Sequence, residues 1–92
     1  MTKPYSWNEN KNKLLRLERG VSFDDVVKAI ESGDLLATEE HPNKEKYGNQ
    51  KIYIVNIESY VYLVPFVEDE KKIFLKTIYP SRRATKKHLK KD

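Results

Sequence analysis

Apolar positions along the chain keep first a helical rhythm and then a strand rhythm. Between Trp7 and Arg19, Trp7, Leu14 and Leu15 stand at i, i+7 and i+8, with no internal Gly or Pro. That pattern predicts a helix with Asn8 as its cap and Gly20 as its stop. A second helix is predicted from Ser22, where Ser22 and Asp25 have the spacing of a capping box. Asp24 and Asp25 also suit the positive end of a helix dipole. Phe23, Val26, Val27 and Ile30 recur at i, i+3, i+4 and i+7, so one face is apolar, and Gly33 closes the helix after two or three turns.

The rhythm then shortens. Leu35 to Glu40 is a short candidate strand; His41-Pro42-Asn43 turns the chain, and a polar connection runs to Asn49. Lys51–Ile57 and Tyr60–Val67 are β-branched and aromatic, and only Glu58-Ser59 separates them, which predicts a tight hairpin. Tyr60–Val67 is apolar on both faces and should be central, yet Pro65 cannot donate to a ladder. A bulge, or a partner strand that stops short, would reconcile the two. Lys72–Tyr79 reads as a further strand, ended by Pro80. Arg82–Lys91 reads as a last helix capped by Ser81, so polar that it should barely dock.

Segregated helices and strands with short connections predict an α+β fold: two N-terminal helices, a three- or four-stranded antiparallel sheet, and a basic C-terminal helix. Ninety-two residues suit one domain, 1–92. Six Tyr, three Phe and one Trp argue against a disordered chain. The absence of cysteine removes disulfides and thiolate chemistry and suits a reducing cytoplasm. No apolar run approaches the length of a secretory signal or of a membrane helix, so no membrane association is expected.

Charge changes the picture. Lys71–Asp92 holds nine basic residues and one acid, a net of +8, against −4 for the first seventy residues. A basic end on an acidic body suits a polyanionic or acidic partner. No familiar catalytic motif stands out, and no nucleophile elbow is present. Three scattered glycines make no phosphate loop, and His41 and His88 stand too far apart to begin a metal site, so neither metal nor cofactor is expected. What remains is Lys76, Arg82 and Arg83 near Tyr79, with Tyr53, Tyr60 and Tyr62 on adjoining strands. Arginine grips phosphate as a fork, and tyrosine stacks on an unpaired base. Such a surface suits single-stranded RNA. It could also cleave it, since the 2′-OH is the nucleophile and the protein need only position groups, stabilise charge and move protons. His41 and Tyr79 are the candidates for stacking or proton transfer; a histidine before proline is more often a turn residue, and His88, among lysines, reads as solvated.

Trp7-Asn8-Glu9-Asn10-Lys11, Arg19-Gly20-Val21-Ser22-Phe23-Asp24-Asp25 and Ser81-Arg82-Arg83-Ala84-Thr85 resemble, in order and spacing, the motifs of the BrnT family of type II toxins. The resemblance implies a RelE-like fold, metal-independent endoribonuclease activity on messenger RNA, on or off the ribosome, and a cognate DNA-binding antitoxin. It carries directly to Arg82 and Arg83, and to Trp7 and Lys11. Arg19 stands in place of the family's histidine, Thr77 in place of its strand arginine and Pro80 in place of its serine. Two alternatives stand beside the toxin: a catalytically silent RelE-like module binding RNA or protein, and a basic RNA-binding protein with no antitoxin.

Overall fold

Asn8 starts the first helix as its side chain predicts. In the computed structural model, which describes residues 3–89, its Oδ1 accepts from the Lys11 N–H at 3.0 Å. Helix α1 runs Glu9–Arg19 and stops at Gly20, whose φ of 69° is the left-handed conformation that glycine adopts without steric cost. Helix α2, Phe23–Glu31, opens on the expected capping box: Ser22 Oγ accepts from Asp25 N–H, and Asp25 Oδ2 accepts from Ser22 N–H.

Around these helices the described residues form one six-stranded sheet from β1 (Tyr5–Ser6), β2 (Leu35–Glu40), β3 (Gln50–Ile57), β4 (Tyr60–Glu68), β5 (Ile73–Leu75) and β6 (Tyr79–Pro80). The path is β1-β5-β4-β3-β2, and β6 pairs with β4 beyond β5. The α+β class follows the sequence pattern, while the sheet is larger than expected and mixed, because β1 pairs with β5 in parallel. Two residues cannot display a period, so β1 left no trace in the hydropathy. The polar connection after His41 also holds a short helix, α3, Lys44–Tyr47, capped by the Asn43 side chain.

β4 is interior as predicted, with β3 on one side and β5 and β6 on the other. Pro65 explains why the last expected strand, Lys72–Tyr79, is broken in two. A residue's N–H and C=O point to the same side of an antiparallel strand. The Pro65 carbonyl faces Lys76, accepting from its N–H at 2.8 Å, so the missing donor of Pro65 faces the same gap. The ladder lapses there over residues 76–78 and resumes at Tyr79.

One face of the sheet carries Tyr53, Val55, Val64, Phe66, Ile73 and Leu75, which pack with Leu15, Val21, Phe23 and Val26 into the main core. Phe23 is fully buried, stacking on Trp7 with ring centroids 5.6 Å apart. Leu14, predicted to share the inner face of α1, is instead largely exposed, and Asn12 is buried there. Helix α4, Arg82–His88, lies across the opposite face, beside Ile54 and Leu63. No described helix is long and apolar enough to cross a membrane.

Candidate nucleic-acid surface

The sheet face not covered by α1 and α2 follows from the alternation of β3 and β4. Gln50, Ile52 and Ile54 share it with Leu63, Pro65 and Val67. Tyr79 pairs with Leu63 in register and therefore projects to this same face, where it remains 38 % exposed. Its neighbour Ile78 points the other way and is fully buried. Lys76, in the gap opposite Pro65, donates from Nζ to Gln50 Oε1 at 3.1 Å, so its ammonium reaches across β4 on this face.

Arg82 and Arg83 begin α4, and the fold fixes that start firmly. Ser81 N–H donates to the Val61 carbonyl at 3.0 Å, and Val61 N–H donates to Thr85 Oγ1 at 2.9 Å. The Thr85 hydroxyl in turn donates to Ser81 O at 2.8 Å, and Ser81 Oγ caps Ala84 N–H at 3.0 Å. The weak docking expected of so polar a helix is thus corrected: buried Thr85, rather than an apolar stripe, anchors it to β4. Arg82 and Arg83 are both exposed and, among the described residues, engage no carboxylate. Successive residues on a helix lie about 100° apart, which puts the two arginines on different flanks. Arg83 and Lys87 edge a cleft over Ile54 and Leu63, with Glu39 of β2 on its far side. His88 is half-buried and lines that cleft, where the sequence suggested solvent.

Other expected members of the surface lie elsewhere. Tyr53, Tyr60 and Tyr62 occupy the helix-covered face by strand alternation. Tyr53 is a core residue stacked on Phe66 at 3.9 Å, and its phenol is held neutral by burial and by neighbouring Tyr5, well above the ordinary tyrosine pKa. Burial, then the nearby Glu58 carboxylate, also raises the Tyr62 pKa. Tyr79 is therefore the tyrosine beside Lys76 and α4. His41 follows β2, three strands away from β6, about 14 Å at ordinary strand spacing. Its ring Nδ1 accepts from Asn43 N–H at 3.1 Å and its backbone N–H donates to Gln50 O at 3.1 Å, so it shapes the turn.

Arg19 has a structural role. Its guanidinium donates to the Ile78 carbonyl, tying the end of α1 to the gap between β5 and β6. Sequence reasoning also missed Gln50, Glu39 and Thr85; nothing in a single polar residue on a strand or short helix announces a partner two strands or 24 residues away. Among the described residues, no group of three His, Cys, Asp or Glu is arranged to hold a metal. Comparison of the chain with family models, with characterised proteins and with solved structures finds no match in any of the three.

Proposed function

We propose that this domain binds single-stranded RNA on the sheet face beside α4 and cuts it, as the toxin of a pair whose DNA-binding antitoxin neutralises it. The reading is carried by Tyr79, an exposed aromatic ring on that face, between Lys76 and the exposed pair Arg82 and Arg83. Tyr79 would stack on an unpaired base while the guanidinium groups hold phosphate. Arg82 is the main phosphate contact in this reading, with Arg83 a second cation on the neighbouring flank of α4. The RNA supplies its 2′-OH as nucleophile, and charge builds up on the phosphate oxygens as it attacks, so fixed cations are what the reaction needs most. His88, lining the adjacent cleft, is a better candidate for proton transfer than His41, which is committed to its turn. The order of the motifs around Trp7, Gly20 and Arg82 supports the toxin reading, as a resemblance.

The test is expression of the wild type and of Arg82→Ala, with both shown to fold equally, followed by measurement of growth and of RNA cleavage with and without ribosomes. The wild type should slow growth and cut RNA. Arg82→Ala should cut more slowly by roughly a few hundredfold, the effect of removing one preorganised electrostatic group. A wild type that binds RNA but neither slows growth nor cuts would leave a silent RNA-binding module in place of the toxin.

A further inference from the structure

The cleft beneath α4 has a polarity that the basic composition of this end of the chain does not suggest. Its volume is about 170 Å³, and the apolar pair Ile54 and Leu63 lines it together with His88. Arg83 and Lys87 edge it from the helix, whereas Glu39 edges it from β2. Glu39 is exposed and, among the described residues, no cation lies within ion-pair distance of it. Its neighbour Glu40 points to the other side of the strand and is taken by Lys44. The cleft therefore offers an apolar slot with two cations at one edge and an unpaired carboxylate at the other.

We infer that this cleft is a guanine-selective subsite, with Glu39 reading the base and Arg83 and Lys87 holding the adjoining phosphate. The inference rests on the RNA reading above and goes beyond it by naming the base. An ionised carboxylate only accepts hydrogen bonds. Guanine alone among the four bases presents two adjacent donors, N1–H and the N2 amino group, on its Watson–Crick edge, and these match the two oxygens of one carboxylate. Adenine and cytosine set a ring-nitrogen acceptor beside their amino group, and uracil sets carbonyls on both sides of its N–H. Each would turn a lone pair towards the carboxylate and be repelled. The flat face of the base meets Ile54 and Leu63, where burying it removes apolar surface from water. His88 can lie against the ring, since unstacked bases in RNA complexes commonly meet an aromatic side chain. The opposed charges set the direction of the nucleotide, because phosphate is drawn to Arg83 and Lys87 and kept from Glu39.

The experiment uses fluorescently labelled single-stranded hexamers of uridine carrying one central guanosine, adenosine or cytidine, or none, titrated with the full chain at low salt. The guanosine hexamer should bind about tenfold or more tightly than the others, within the range of a bidentate base contact. Glu39→Gln, an exposed edge-strand change whose folding is checked by thermal melting, should bring that ratio below about threefold. Lys87→Ala should weaken all four hexamers by similar factors and keep the ratio. Equal binding of the four hexamers, or a guanosine preference that survives Glu39→Gln, overturns the assignment and leaves the RNA reading standing. Failure of every hexamer to bind overturns both.

Discussion

Asn12 shows how a single side chain can organise the first half of the chain. It is buried, its Oδ1 accepts from Phe23 N–H at 2.7 Å, and its Nδ2 donates to Glu9 at 3.1 Å and Asp24 at 3.3 Å. The first turn of α2 has donors with no partner inside the helix, and Asn12 satisfies one of them from α1. In the sequence it sits three residues before Leu15, which is the phase of the buried face, but its polarity hides that position from any apolar count. The same blindness applies to Thr85. Leu14 errs the other way: its hydrophobicity suggests burial, and it is 47 % exposed. Replacing Asn12 with Leu keeps a similar bulk and removes every one of these bonds. A buried N–H left without a partner costs about 1–3 kcal/mol. Asn12→Leu should therefore lower the unfolding free energy by at least about 1 kcal/mol in a urea titration. An unchanged midpoint would mean that water or a shifted helix replaces the bond at no cost.

Among the elements, the β3–β4 hairpin is predicted well in position and poorly in chemistry. Ile57 pairs with Tyr60, so the loop is the two residues Glu58 and Ser59, as the sequence suggests. Both have positive φ, 52° and 66°, where Asn and Gly are the residues that usually serve. The apolar register of the two strands forces this turn, because a slip of one residue would carry Tyr53 and Val64 out of the core. An L-residue in the left-handed region costs roughly 1–2 kcal/mol, and glycine avoids that while losing more backbone entropy on folding. Ser59→Gly should accordingly stabilise the domain by about 0.5–1 kcal/mol, read as a rise in thermal midpoint. A fall would show that the serine side chain makes a contribution larger than the strain. The broken strand after β5 was legible only as a conflict. Pro65 announces that something must give, but which partner gives, and that Tyr79 recovers the ladder three residues later, depends on pairing that no local pattern encodes.

For the molecule as a whole, the two faces of the sheet divide the labour: α1 and α2 close one into the core, and the other carries Lys76, Tyr79 and α4. The uneven charge was plain in the sequence, but its placement was not, because alternation alone does not say which face the helices cover. This division sets how the charge should be tested. Removing residues from Arg82 onward would also remove Thr85, whose hydroxyl accepts from Val61 N–H, and would leave a buried backbone donor of β4 without its partner. Loss of RNA binding in such a truncation would report damage to the sheet as much as loss of charge. Single substitutions of Arg82, Arg83 and Lys87, all exposed, avoid this. Each phosphate neutralised on single-stranded RNA releases condensed counterions and adds about −0.7 to the slope of log K against log salt. If Lys76, Arg82, Arg83 and Lys87 each meet a phosphate, the wild-type slope should be roughly −3. Each alanine variant should be shallower by about 0.7, with unchanged thermal stability. A slope near zero would assign the basic end to solvation or to a protein partner. A wild-type slope that all three variants leave untouched would place the RNA on some other cationic surface of the domain.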